Sequence, residues 1–490
     1  MNKSELIHAV KALGLKEGDI VLLHSSLGSM GQVEGGAKTV VEAFLGVLGP
    51  SGTLMAPTFA TSGDVFDAEK DPTSLGAIAE AIRQDRKAVR SRHPLASVAA
   101  IGARAEDLVK DHETAKTAHG EGTPYHRLAE WGGYVVLLGV DQDRSTILHT
   151  AEALCELPYL SEKRKKYVDA QGKVHTGAYP YFPGPHRDFI GLDRRLREKG
   201  IVTLHRIGNA VVRVMKARPL LDELVAMLGK DPAAVLCANP RCEDCVRQRA
   251  AINRWRVERE GFRLVVPSHI AGRTVDEIIA NLTRTGISDI EMTMIGDKDI
   301  AALDPEEWTQ IFRQFTDAEI SVRSVASRFW QQAFDRVLYA CRSLRARQLV
   351  LPLQSGLQSE ALEAADHELV VLMRNGVLTG ERAGEILSEY AEDVLLSFDP
   401  HGFLLAGEYP FRRSLKMPGR FRIGQVCVCD GAWGGRPTPL AEGNAEIKET
   451  VSILRCRSYS GDMLLTWPLD HEPPDFRDYV RSFFDLLEGL

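Results

Sequence analysis

Tyr134-Val-Val-Leu-Leu-Gly-Val-Asp-Gln-Asp-Arg-Ser-Thr-Ile-Leu-His149-Thr-Ala-Glu152 decides how the first half of this chain is read. Residues 134–140 are an apolar run broken by Gly139, which predicts a buried strand. Asp141 to Thr146 predicts a polar loop, and Ile147 onward the start of a helix. That helix places His149 and Glu152 three residues apart, on one face. A histidine held by a carboxylate just beyond a strand end is a common general base near neutral pH. Spacing alone leaves a second reading open, in which Glu152 is an acidic residue favoured in a first helical turn.

Outward from this stretch the α/β alternation continues. Asp19-Ile-Val-Leu-Leu-His24 predicts a strand, His24-Ser-Ser-Leu-Gly-Ser-Met-Gly31 a small-residue loop, Ala37 to Leu48 a helix, and Gly52 to Phe59 a second strand. A loop of serine and glycine ahead of a helix N-terminus lets backbone N–H groups approach an anionic or amide-rich ligand. The chain has 490 residues, enough for two or three domains. Its 44% hydrophobic and 26% charged residues are those of a globular protein, not a disordered one. The net charge of −7 argues against a nucleic-acid partner. No apolar run approaches the ~20 residues that span a bilayer, and the first helix lacks a signal peptide's apolar core, so a cytoplasmic location is expected. Eight cysteines are too sparse for a disulfide scaffold. Only Cys237, Cys242 and Cys245 cluster, as C-x4-C-x2-C. Zinc there needs a fourth ligand, from His269 or a cysteine of another chain, and three ordinary thiols are the alternative.

Five separated motifs occur in one order over residues 1–250: HSSL at 24–27, the segment Gly35 to Phe59, Arg92-His-Pro-Leu-Ala-Ser97 with Val98 to Gly102, Gly120-Glu-Gly-Thr-Pro124, and Thr146-Ile-Leu-His149-Thr-Ala-Glu152. Together they resemble the aminoglycoside 3-N-acetyltransferase family, an α/β fold that uses acetyl-coenzyme A. The resemblance implies acyl transfer from a thioester to an amine, with His149 as base and Glu152 as the carboxylate that orients it. It implies a coenzyme A loop at His24, Ser25, Ser26, Leu27 and Gly31, with Arg92, Ser97 and Val98 along the cofactor. Read without the family, His24 could simply satisfy backbone carbonyls, and Arg92 could pair with Asp85 or Glu80. A cationic aminoglycoside needs an acidic pocket, and Asp64 and Asp67, with Glu69 and Asp71, are the candidates. A solvated loop is the plainer reading of those four. The family's usual longer insertion is absent between Phe59 and Leu75, so the acceptor is an amine of unspecified identity, and the acyl group could exceed acetyl.

From Phe262 the pattern becomes eight strand–helix steps, the count of a (β/α)8 barrel, after a charged helical linker at 253–261. The expected layout is an N-acetyltransferase-like domain at 1–252 and a TIM-type barrel at 262–490. Phe398 to Pro410 and Thr438 to Asn444 resemble the xylose-isomerase-like sugar-phosphate isomerases and epimerases. That resemblance implies four metal ligands at strand ends. Only Asp399 matches. Met373, Cys427 and Trp467 occupy the other three places, so no metal is expected unless Glu291 or His401 substitutes. The expectation is an acetyltransferase with a small-molecule amine substrate and a decayed barrel. A bifunctional enzyme with an active barrel, a non-catalytic binding protein, and homo-oligomer formation are left open.

Overall fold

Tyr134–Leu138 is a central strand of a seven-stranded sheet. The computed structural model describes residues 1–60, 63–183, 188–415 and 422–490. The sheet order is Val89–Arg90, Val98–Gly102, Thr53–Pro57, Ile20–Ser25, Tyr134–Leu138, Ala210–Lys216, Thr203–Ile207. Ile20–Ser25 runs parallel to both Thr53–Pro57 and Tyr134–Leu138, with Ser25 opposite Leu138. Val98–Gly102 and Ala210–Lys216 pair antiparallel on the flanks. The parallel centre is buried on both faces, which is why these strands read as continuous apolar runs. Helices Lys3–Lys11 and Gly36–Leu48 cover one face, burying Leu6, Val10, Val40, Phe44 and Leu48. Emptying a site such as Phe44 would cost about 3–5 kcal/mol.

One feature had no apolar signature. Ser161–Val168 and Val174–Tyr181 form an antiparallel hairpin, with Val65–Phe66 added in parallel to its first strand. The expected acidic acceptor loop and the basic run Lys163 to Lys166 therefore meet in one small sheet, where Lys165 Nζ donates to the Gly63 carbonyl at 3.0 Å. Residues 61–62 of the first segment and 184–187, in the stretch read as a loop, lie outside the described residues.

The chain forms two units, Met1–Cys245 and Val246–Leu490, and the boundary falls inside the helix Glu243–Glu260. The stretch 253–260, read as linker, is the second half of that helix. The second unit is a closed barrel of eight parallel strands: Arg263–Pro267, Asp289–Met292, Ser321–Ala326, Gln348–Pro352, Val370–Arg374, Leu395–Phe398, Ile423–Val428 and Asp462–Leu465. Trp308, Phe315, Phe398, Phe403 and Phe483 are its largest buried side chains. No helix among the described residues is long and apolar enough to cross a membrane.

Candidate active site

The parallel pairing of Ile20–Ser25 with Tyr134–Leu138 sends both following loops off the same edge of the sheet. Ser26 N donates to the Leu138 carbonyl at 2.9 Å, fastening the two loops where they leave. Gly139 sits at φ 68, and a Cβ there would lie 1.7 Å from Ser29 Oγ, so only glycine permits this approach. Beyond it the loop is braced by Arg213, which donates to the Val140 carbonyl at 3.2 Å and to Asp193 Oδ1 at 2.8 Å and pairs with Asp141. Buried Gln142 joins the network through Asp193 at 3.3 Å. These contacts set the start of helix Ile147–Leu154.

On that helix His149 Nδ1 lies 2.6 Å from Glu152 Oε2. Glu152 is fully buried, and its other oxygen accepts the Tyr159 hydroxyl at 2.9 Å. A carboxylate accepts only, so the imidazole proton is on Nδ1 and the Nε2 lone pair is left for chemistry. The His149 side chain keeps 17% exposure, enough to meet a ligand. Phe189 packs edge-on against its ring at 5.5 Å, and His119 lies at 5.2 Å.

His119 and His126 flank the loop Gly120 to Pro124, where the sequence allows each either to cap the loop or to touch a ligand. His119 is 7% exposed, yet neither ring nitrogen has a hydrogen-bond partner among the described residues. Burial first, then the imidazoles of His149, His112, His93 and His24, hold its pKa well below the usual value, so it is a neutral donor and acceptor. An orphaned buried imidazole costs free energy unless a ligand fills it. His126, on the other side of the same loop, accepts from Gly122 N at 3.4 Å and is a local cap. His93 holds its turn by accepting from the Leu95 and Ala96 amides at 3.2 and 3.1 Å.

His24, next to last in its strand, is buried with Nε2 3.3 Å from Thr146 Oγ1, and burial lowers its pKa to about 3. Ser25, Ser26 and Leu27 are half-buried and lead through a short 3-10 turn to Gly31 at φ 82. The helix that follows, Gly36–Leu48, starts at Gly35 with no side-chain cap, and its first amide, Gly36 N, donates to the Val33 carbonyl at 3.1 Å. Arg92 pairs with Glu69 at 3.3 Å, not with Asp85 or Glu80. The arginine built into this wall is Arg90, two residues earlier. It donates to the Asp71 carbonyl at 2.6 Å and to Thr58 Oγ1 at 3.1 Å, and burial brings its pKa down to about 10. Ser97 donates to the Thr58 carbonyl at 2.8 Å, and Val98 begins a sheet strand with no exposure. Asp67 is occupied by Lys70 Nζ at 2.9 Å and by its own turn, while Asp64 is exposed.

In the barrel, a cavity of about 520 Å³ opens among residues that include Glu291, Arg374, Asp399, His401, Cys427 and Trp467. Several of its polar side chains are already engaged, although the buried Trp467 indole N–H finds no partner among the described residues. Glu291 receives Arg374 at 2.9 and 3.0 Å, Asp399 Oδ1 receives the His401 amide at 3.0 Å, and His401 Nε2 sits 3.2 Å from the Gly435 carbonyl. Met373 is buried in the core, and burial pushes the Cys427 thiol up to about 12. His269 has one ring nitrogen 3.0 Å from Thr293 Oγ1 and the other 3.0 Å from the Trp467 carbonyl, so it offers no nitrogen to the cysteine cluster. Among the described residues, Cys237, Cys242 and Cys245 form the sole group of three or more His, Cys, Asp or Glu side chains placed to share a metal.

Comparison with known proteins bears on the first unit. A sequence profile of the family described as aminoglycoside 3-N-acetyltransferase matches residues 22–229. Aminoglycoside N(3)-acetyltransferase IV of a Salmonella species is 33% identical over 239 residues, which is 48% of this chain and 90% of the relative. Aminoglycoside N(3)-acetyltransferase VII of Streptomyces paromomycinus is 33% identical over 269 residues, 46% of this chain and 91% of the relative. The crystal structure of aminoglycoside acetyltransferase AAC(3)-IVa, as the apoenzyme, shares 32% identity at a TM-score of 0.47, covering 50% of this chain and 95% of that one.

Proposed function

The chain belongs, through its first half, to the aminoglycoside 3-N-acetyltransferase family and is an N-acetyltransferase, and from that premise we propose that it acetylates an amine of an aminoglycoside or related amino sugar by direct attack, with His149 as general base. The observation that carries this reading is the buried relay Tyr159–Glu152–His149, with links of 2.9 and 2.6 Å. Acetyl-coenzyme A supplies the activated acetyl group as a co-substrate, so the protein needs no nucleophile of its own. An amine cannot attack while its nitrogen carries the extra proton. That first proton is lost to solvent. As the neutral amine attacks, His149 Nε2 takes a second proton from the nitrogen, Glu152 stabilises the imidazolium that results, and this proton goes to the departing thiolate as the C–S bond breaks. Tyr159 holds the Glu152 carboxylate in place by its hydrogen bond.

Several further side chains support the reading. The half-buried loop from His24 to Gly31, which leads to a helix with no side-chain cap, presents backbone amides on the edge that carries His149. His119, neutral and unfilled, is suited to donate a hydrogen bond to the oxygen that gains charge as the amine attacks. Asp64 is the acidic candidate for a cationic acceptor. For the barrel we propose small-molecule binding without metal. The Arg374–Glu291 pair supports it, since a guanidinium already neutralises the carboxylate most deeply placed in the cavity. The test is free-thiol release from acetyl-coenzyme A against a panel of aminoglycosides and simpler amines, using the native chain and His149→Ala. Acetylation that needs an amine and fails in the variant supports the assignment. Equal release in both would overturn it.

A further inference from the structure

Outside the catalytic site the most unusual grouping is the thiols of Cys237, Cys242 and Cys245, whose sulfurs lie within 4.8 Å of one another. No disulfide joins them. The backbone brings them together by a tight turn: Cys242 N donates to the Asn239 carbonyl at 3.1 Å, and Arg241 N to Asn239 Oδ1 at 3.0 Å. The helix Glu243–Glu260 starts directly after Cys242, so Cys245 stands in its first turn. Cys245 is buried, and Cys237 and Cys242 are half-buried.

Three thiols gain little from one another, because S–H is a weak donor and sulfur a weak acceptor. Packing alone is met as well by alanine or valine. A disulfide uses two sulfurs and strands the third. A tetrahedral zinc ion, with Zn–S bonds of about 2.3 Å, holds neighbouring sulfurs about 3.8 Å apart, which the observed grouping reaches with small side-chain rotations. Soft thiolates also select against magnesium and manganese.

We propose that Cys237, Cys242 and Cys245 bind one zinc-class divalent cation as thiolates, with a lighter donor completing the tetrahedron. Three thiol protons leave as three metal–sulfur bonds form. The site has a place in the fold. Val235, two residues before Cys237, accepts the Asp188 amide at 2.9 Å, and the Asp188 carboxylate caps helix Phe189–Glu198 through Gly191 N at 3.1 Å. Phe189 is the side chain packed against the His149 ring. The cation therefore tethers the segment that supports one wall of the active site, and its loss raises the KM for amine more than it lowers kcat.

Elemental analysis of the full chain, purified without a polyhistidine tag or chelator, reads the site without reference to activity. The expected result is about one zinc per chain, released to a metallochromic dye as an organomercurial titrates the thiols. X-ray absorption should find three sulfurs at about 2.3 Å and one nitrogen or oxygen. Cys242→Ser with Cys245→Ser should hold under a tenth of the native zinc, and the exposed-thiol control Cys456→Ser all of it. Less than about a tenth of a zinc per chain after zinc addition and gel filtration, or a disulfide between any two of the three in a peptide map, would overturn the proposal. The native count decides the matter even if the double variant does not fold.

Discussion

Replacing Glu152 by glutamine removes one charge and almost nothing else. The carboxylate is fully buried, so no solvent compensates for its loss. Its two oxygens are both in use, one at 2.6 Å from His149 Nδ1 and one at 2.9 Å from the Tyr159 hydroxyl. The glutamine oxygen can still accept from Nδ1–H and its amide can still meet the tyrosine, so the packing survives. What disappears is the anion that stabilises His149 after it takes the amine's proton. Charges about 4 Å apart interact by about 4 kcal/mol at an effective dielectric of 20, and the net worth of a charged hydrogen bond is about 1.5–3 kcal/mol. Taking about 2–3 kcal/mol, kcat should fall about 30- to 150-fold, with the KM for acetyl-coenzyme A unchanged. The assay is thiol release at saturating acetyl-coenzyme A, alongside thermal melting to show intact folding. A folded Glu152→Gln chain within threefold of native kcat would refute the relay.

Three further outcomes follow from other parts of the molecule. Tyr159→Phe removes one hydrogen bond to Glu152 and should lower kcat about 5- to 15-fold, about 1–1.5 kcal/mol; a steady-state comparison that finds no change would assign Tyr159 to packing alone. Burial holds His24 at about 3 and His112 at about 4, against 6.5 when unfolded. The unfolded imidazoles therefore bind protons first as pH falls, and the stability present above pH 6.5 drains away from 6.5 down to about 4 for His112 and about 3 for His24. At pH 5 each costs about 2 kcal/mol, so melting of the first unit should drop by about 8–15 °C from pH 7.5, and a flat profile would contradict the burial argument. Arg374→Met strands Glu291 inside the barrel and should destabilise it by about 3–5 kcal/mol, with Arg374→Met/Glu291→Gln recovering a good part; denaturant titration that ranks the two variants equally would count against the pair.

What was legible in the sequence was what leaves a hydrophobic period. Ile20–Ser25, Thr53–Pro57, Tyr134–Leu138 and the barrel strands are buried on both faces, and their apolar runs announce them. The His149–Glu152 spacing was visible because both residues sit on one short helix. The hairpin Ser161–Val168 and Val174–Tyr181 was not, since only one of its side chains is fully buried and its first strand, rich in lysine, arginine and glutamate, carries no apolar alternation. Tyr159 escaped for another reason: helix Ile147–Leu154 ends before it, so its reach back to Glu152 depends on the turn and not on a period. Arg90 is defined by what surrounds it after folding, and its immediate neighbours in sequence are silent about it; the sequence left His119 open between loop cap and ligand contact, and only its buried surroundings distinguish the two.

The central claim is that His149 takes the amine's proton. It is tested most directly by comparing kcat for the native chain and His149→Ala at neutral pH, with acetyl-coenzyme A binding measured by calorimetry on both. Loss of a general base predicts a fall in kcat of about 10²–10⁴ while the cofactor still binds. A variant that binds acetyl-coenzyme A and turns over within threefold of the native rate would contradict the account.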